Sequence, residues 1–463
     1  MRIQLGEQRP WIAVGTVVLM LAAACTTSPA TAAGSTSPST GSTTSAGPQL
    51  IPQPDVSGLH VAPDSARVDL RMPTFSHPTD VTNPLFPVSD QASVLMLGHV
   101  DGKPFRTEVT LLPNTEVIQW AGMRIEVLVS QYVAYLDGKI TEVAYDRYAQ
   151  ADDGSVWYFG EDVSDFRDGG IVVTEGTWLA GRDGPPAMIM PGDPQVGDVY
   201  RTENAPPFVF EEVTVGSVTE QLQGPFRPVI GMRARELHMD ASSEDKLFAP
   251  GYGEFRTAGG GDLEALAMAV PTDAASGSMP EALTGVTDAS LGILDAAGAK
   301  DWRSATKRLQ ALEASWRAVS PSDVPRLVEP VMTRALHELS AAVGARSSRR
   351  AQEAAIEVAR SGFDLQLRYR PVAEVDLARM DLWAAQLLID RASGDRDAVG
   401  DDHFAIDYLR DRLLAALAPP DLGRLSEKIT EIQIGVVDQD LGAAADAARD
   451  LRTMIPRLHV VST

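Results

Sequence analysis

MRIEVLVSQYVAYL-DG-KITEVAYDRYAQ, residues 123–150, decides the fold of the first half of this chain. Its two arms alternate over several residues and are rich in β-branched and aromatic types. Asp137-Gly138 sits between them, and two β-like runs joined at Asp-Gly are the strongest short-range signal for a β-hairpin. The same period of two extends outward on both sides. Residues 106–112, RTEVTLL, partly alternate. Asp152-Asp153-Gly154 marks a turn before SVWYFG at 155–160, and Asp168-Gly169-Gly170 marks another before a strand at 171–178. Further strands are expected at 208–219, 229–239 and 254–257. No helical period intervenes, so residues 78–273 are expected to form an antiparallel meander that curls into a sandwich, barrel or half-barrel.

The period then changes. AASGSMP at 274–280 is a linker, and from 281 to 458 alanine and leucine dominate. Helices are expected at 286–297, 301–319, 323–343, 348–369, 372–393, 402–416, 421–438 and 440–455. Pro321, Pro371 and Pro419-Pro420 fall at junctions, where proline can begin a helix but not continue one, and Asp323 and Asp421 are candidate N-caps. Asp301-Trp302, Ala305, Leu309 and Leu312 match Asp440-Leu441, Ala444, Ala448 and Leu451 in spacing, a weak echo of stacked helical hairpins. The whole is an α+β multidomain chain: an antiparallel β-domain followed by an all-α helical bundle.

Candidate sites are few. Tyr148, Trp157, Tyr158 and Phe159 lie on adjacent expected strands, as does Tyr145. They form either a cavity for an apolar ligand or a packed aromatic core, and packing is the plainer expectation. Met188, Met190 and Met239 lack the close Met/His clustering of a soft-metal site and suit core filling. Between 363 and 390, Val375, Leu382 and Ile389 repeat every seven residues. Arg368, Arg370, Glu374, Asp376, Arg379 and Asp381 are interleaved with apolar residues. That charge is either a pocket for a metal or anion, or an ion-pair network at a helix–helix seam, and the network is expected. Asp395, Asp397, Asp401, Asp402 and His403 make a near miss for a calcium loop. Val399 and Ile406 stand where oxygen ligands are needed, so an acidic helix start is the simpler expectation.

The N-terminus says where the protein works. WIAVGTVVLMLAAAC, residues 11–25, follows Arg2 and Arg9 and ends on the only cysteine. It is too short to span a bilayer, which needs about 20 apolar residues, and suits a secretory signal. Ala22-Ala23-Ala24-Cys25 resembles a bacterial lipobox, although leucine is commoner where Ala22 stands. That resemblance implies cleavage after residue 24 and a diacylglycerol on Cys25. Residues 26–50 carry no charge and consist mostly of Thr, Ser, Ala, Gly and Pro, a composition that cannot bury a core. With the Pro-rich residues 51–77, which are expected to run extended into the β-domain, they form the tail at 25–77. The formal net charge is −23, which repels nucleic acid and anionic headgroups.

Asn83-Pro84-Leu85-Phe86-Pro87, the stretches 145–150 and 154–161, Glu175-Gly176-Thr177-Trp178, Ile189-Met190-Pro191, Val196-Gly197-Asp198 and 249–253 together resemble a family of uncharacterised bacterial exported β-domain proteins. The excess of arginine over lysine suits an actinobacterial source. The resemblance implies fold and location and transfers no catalytic residue. No Gly-x-Ser-x-Gly elbow, phosphate-cradling loop or His-Glu-x-x-His motif is present. The expectation is a non-catalytic lipoprotein on the outer face of the cell membrane that needs no cofactor. Its partner would be a protein or an apolar small molecule such as a lipid in the β-domain. The alternative is a metal held by the acidic helical domain.

Overall fold

The computed structural model describes residues 49–461 apart from Glu175 and Pro207. The signal, Cys25 and the linker up to residue 48 lie outside the described residues. Among the described residues no helix is long and apolar enough to cross a membrane.

The meander is present and longer than its sequence signals. Its first strands are β1 (Ser93–Val100), β2 (Lys103–Trp120), β3 (Met123–Leu136), β4 (Lys139–Gln150), β5 (Val156–Arg167) and β6 (Gly170–Val173). Then come β7 (Trp178–Leu179), β8 (Ala187–Met190), β9 (Val199–Ala205), β10 (Val209–Gln223) and β11 (Pro228–His238). The last are β12 (Ser243–Ala249), β13 (Gly253–Gly259) and β14 (Asp262–Val270). At the opening hairpin, Asp137 (φ 51°) and Gly138 (φ 80°) both take the left-handed conformation that a two-residue turn of this hand requires. Each strand from β2 to β6 pairs with its predecessor, each from β10 to β14 does likewise, and β1 pairs with β14 to join the two runs. β8 pairs with β5 and lies against β9, so the sheet nearly closes into a barrel.

Alternation divides the strands between two environments. Ser130 and Tyr132 on β3 and Glu142, Ala144, Asp146 and Tyr148 on β4 face the barrel interior. Val133, Tyr135 and Val143 between them face outward and pack on helices. Those helices are α1 (Glu281–Gly298), α2 (Trp302–Ala318), α3 (Val328–Gly344), α4 (Ser348–Gln366), α5 (Val372–Ser393), α6 (Arg396–Arg412), α7 (Pro419–Val437) and α8 (Leu441–Met454). Leu95, Ala267 and Met268 of the sheet share one apolar core with α1–α5. Tyr135, Val143 and Phe166 share a second with α5–α8, where Tyr135 stacks on Trp383 at 5.3 Å. Fully burying one such aliphatic or aromatic side chain is worth about 1.5–3 kcal/mol, so the helices and the outer face of the sheet stabilise each other. In α2 and α8, a left-handed residue (Lys300, Gln439) precedes the aspartate N-cap (Asp301, Asp440), so the two echoed segments share their entry geometry.

Of the interleaved charges, Asp376 and Arg379 join an ion-pair network whose partners include the sheet, while Arg370 pairs with Glu374, Asp381 with Arg452 and Arg368 with Asp323. Arg106 of β2 binds Asp364 of α4 through both terminal nitrogens at 2.7 and 2.8 Å, and Glu108 of β2 at 2.7 Å. Arg379 reaches Asp364 at 2.9 Å and Asp376 at 3.1 Å. Arg412 of α6 binds Glu108 at 2.8 Å and donates to Gln131 Oε1 of β3 at 2.6 Å. Three arginines thus meet three carboxylates. The sequence placed this network at a helix–helix seam because periodicity within one helix cannot show a strand packed against it.

Several expected boundaries move. α1 begins at Glu281 rather than 286, and α3 at Val328 rather than 323, with Leu327 and not Asp323 at its N-cap. α7 begins at Pro419, so Asp421 lies in its first turn and Ala418 is the N-cap. α6 begins at Arg396 rather than 402, because Asp395 caps it by accepting from Ala398 N at 3.1 Å. Part of the tail is also bound. Val68 N donates to Val199 O at 2.9 Å, Ala62 N to Glu212 Oε1 at 2.7 Å, and Arg201 N to Asp69 Oδ2 at 3.0 Å. Residues 51–72 therefore form a strap along the β9 edge of the sheet that also reaches Glu212 of β10, with Ile51 buried.

Candidate functional site in the barrel lumen

The barrel interior holds a cavity of about 220 Å³. Seven carboxylates line it: Glu142 and Asp146 on β4, Glu161 on β5, Glu203 on β9, Glu211 on β10, Glu254 on β13 and Glu264 on β14. One lysine, Lys246 on β12, lines it with them. The rest of the wall is largely aromatic and aliphatic, including Phe86, Tyr132, Tyr148, Tyr158, Tyr252, Val94, Met96, Val109 and Leu111.

Two irregularities put acids where alternation would not. Tyr148 pairs with Tyr158 while Asp146 pairs with Glu161, so β5 carries an extra residue between them. Gly160 sits there at φ 112°, and a Cβ on it would lie 2.2 Å from Trp178 O. Such a bulge reverses the facing of the next residue, which turns both Tyr158 and Glu161 inward. On β9–β10 the register shifts between Glu211 and Glu212, and neighbouring Thr202 and Glu203 both line the cavity.

The lumen has two electrostatic halves. In one, cations answer the acids. Lys246 Nζ lies 3.1 Å from Glu236 and 3.4 Å from Glu254. His238 Nδ1 lies 3.1 Å from Glu211, and His238 Nε2 lies 3.7 Å from Glu244. Burial works to lower the His238 pKa, but its bonds to Glu211 and Glu244 outweigh this and hold it at about 10. Burial likewise opposes charge on Lys246, and Glu236 and Glu254 overcome it, so its pKa rises. Thr202 Oγ1 lies 3.2 Å from both Glu211 and Glu236. Glu211, Glu236 and His238 have ligand-type atoms within 4.8 Å of one another, and Lys246 with protonated His238 already supplies positive charge there.

The other half has no such answer. Glu161 and Glu203 are 2 % and 3 % exposed and both line the cavity. Burial first, then neighbouring carboxylates, pushes both far up. Burial and Asp165 push Glu142 to about 8, and burial pushes Asp146 to about 6 against the 2.7 Å bond it accepts from Tyr158 Oη. Burial and Glu254 push Glu264 to about 7, although Thr107 donates to it. Glu161 Oε1 is buried with no hydrogen-bond partner.

The four aromatic candidates separate. Tyr148 and Tyr158 line the cavity, stacked at 5.1 Å. Trp157 and Phe159 do not. Trp157 is buried and donates to Ser155 Oγ at 2.8 Å, and Phe159 packs edge-on to Phe75 at 5.7 Å. Strict alternation explains the split, and the two are core residues rather than ligand contacts. Met188 and Met190 belong to the same core.

The calcium-loop candidates lie at the start of α6 instead of in a loop. Asp395 is its cap and Asp397 is exposed in its first turn. Asp401 accepts from Gly169 N at 3.2 Å, and Asp402 and His403 are buried inside the fold. Burial pushes Asp401 up to about 6 and His403 down to about 4. Helical geometry spreads these side chains around the axis, and the group with metal-like spacing lies in the β-domain, at Glu211, Glu236 and His238.

No family model matches this chain, and no curated protein matches it.

Proposed function

We propose that this is a binding protein of the cell envelope, held at the outer face of the membrane by a diacylglycerol on Cys25, whose barrel lumen takes up a small ligand. The observation that carries it is the lumen: a cavity of about 220 Å³ with aromatic walls and an orphaned, buried carboxylate oxygen at Glu161. An empty space intended only as core would be apolar and filled, because voids and buried unpartnered oxygens both destabilise. The ion-pair network on the outer face of β2 ties the barrel to its helices. The basic segment Arg2–Arg9, the apolar run and the sole cysteine support the anchor. The uncharged linker supports a body standing off the headgroups.

The lumen differs from what a lipid would require. Its volume falls below the ~300 Å³ of common ligand pockets, and seven carboxylates interrupt its apolar lining. A compact ligand with a polar head suits it better than an acyl chain. The test adds the small-molecule fraction of the source envelope to the purified full chain and to Ala144→Phe, which fills the lumen from β4. A ligand raises the wild-type midpoint by mass action and leaves the variant unmoved. Equal shifts in both, or none in either, contradict lumen binding.

A further inference from the structure

Resting on the lumen as a binding site, we propose that its ligand is a small organic ammonium ion with an apolar body, its nitrogen held by Glu161, Glu203 and Asp146 and its body lying against Tyr148, Tyr158 and the aliphatic side chains of β1–β2.

Donor and acceptor inventory is the first support. The hydroxyl of Tyr158 is committed to Asp146, Thr202 to Glu211 and Glu236, Thr107 to Glu264, and Lys246 to Glu236 and Glu254. The unanswered group is an acceptor, Glu161 Oε1, in a side chain 2 % exposed and lining the cavity. An ammonium group is donor-only and charged, which fits that deficit. A neutral hydroxylated ligand would bring more acceptors to a wall that already has a surplus.

Charge is the second support. Lys246 and His238 pair with the acids of one half, Glu211, Glu236, Glu244 and Glu254. Among the described residues, Glu142, Asp146, Glu161 and Glu203 have no cation partner in the lumen. Arg147, next to Asp146 in sequence, turns outward to Glu116 and Asp162. Without a ligand, protons fill the gap. Glu161 faces Asp146 and Glu142 of β4 and Glu203 of β9, with Tyr158 on its own strand, and Glu203 faces Glu211 of β10 and Glu236 of β11. A ligand cation takes the place of such a proton.

Aromatic walls are the third. Tyr148 and Tyr158 stack at 5.1 Å, Phe86 meets Tyr148 edge-on at 5.1 Å, and Tyr132 and Tyr252 also line the cavity. Aromatic faces attract organic cations. A bare metal ion would gain little from them and from Val94, Met96, Val109 and Leu111, which favours an organic ion over the metal-like group at Glu211, Glu236 and His238.

The test is calorimetry on the detergent-solubilised full chain with phenethylammonium, isobutylammonium and 1,4-butanediammonium. 2-Phenylethanol, neopentane-like neutral alcohols and glucose serve as uncharged probes, and zinc and calcium as metal probes. At least one ammonium ion is expected to bind ten-fold or more tighter than every neutral probe at pH 7. Its affinity should rise with pH from 6 to 8, by up to about tenfold per unit if one proton leaves for each cation bound. Titration in two buffers of different ionisation enthalpy reads that proton directly. Glu161→Gln should weaken binding at least ten-fold and reduce the proton released, and Tyr148→Leu should weaken the organic ions. Preference for a neutral probe overturns the ammonium assignment while leaving the lumen as a site. Binding of zinc or calcium alone does the same, and no binding by any probe, in a chain whose midpoint the envelope fraction also leaves unmoved, removes both.

Discussion

Glu161 on β5 and Glu203 on β9, 2 % and 3 % exposed, are buried together in the lumen, on strands that no ladder pairs. Burial and neighbouring carboxylates push both pKa values far up, so the pair binds protons that the unfolded chain releases.

The first consequence is a pH dependence of stability. Burial and its neighbours hold Glu142 at about 8, and Glu236 and Glu264 at about 7, whereas the unfolded chain releases these protons near 4.5. Between those values the fold binds more protons than the unfolded chain, so stability falls as pH rises from about 5 to 8. Glu108 and Asp364 act oppositely: burial raises them, but the surrounding arginines outweigh it and depress both. Their contribution is present above the unfolded carboxyl range and is lost as pH falls through their depressed values. Thermal unfolding across pH 3–8 should show a maximum near pH 5, and Glu142→Gln should flatten the alkaline limb. A curve rising steadily to pH 8 would contradict the protonated lumen.

The seam between sheet and helices is the second. Glu108 sits 2.7–3.4 Å from Arg106, Arg379 and Arg412. Glu108→Gln leaves that positive charge uncompensated, and urea unfolding should show a loss of about 3–5 kcal/mol. The exposed pair Arg449–Asp446 is a control, and Arg449→Ala should cost less than about 1 kcal/mol.

A third concerns the bulge. Gly160→Ala would place a Cβ 2.2 Å from Trp178 O at a φ of 112°, which ordinary side chains avoid. Denaturant titration should show a loss of about 2 kcal/mol or more. Gly170→Ala meets nothing within 4 Å and should stay within about 0.5 kcal/mol. Because the bulge turns Glu161 inward, Gly160→Ala should also weaken whatever the lumen binds.

The anchor is tested separately. The full chain should partition into the detergent phase on cloud-point separation, and Cys25→Ala should move it to the aqueous phase with its fold intact. Wild-type protein found in the aqueous phase with an unmodified thiol would contradict lipidation.

Much of the architecture was legible because it rests on local rules. Asp137-Gly138 marks its hairpin through backbone conformation alone, and α1–α8 follow from a periodicity that burial imposes. The lumen was half legible. Once Tyr148 faces inward, alternation along β4 brings Asp146 and Glu142 with it. Glu161 and Glu203 were not, because irregular pairing at Gly160 and between Glu211 and Glu212 breaks the period that sequence reading depends on. Arg106 and Glu108 were missed for another reason: their partners lie on helices more than 250 residues away. Conversely, Trp157 and Phe159 carried the chemistry of a binding wall but sit on the wrong parity.

Native mass spectrometry of the full chain, purified from its source cells in mild detergent, tests lumen binding most directly. A peak heavier than the ligand-free chain by one small molecule in fixed ratio, lost in Ala144→Phe, is the predicted result. A spectrum containing only the ligand-free chain, identical in wild type and variant, would contradict it.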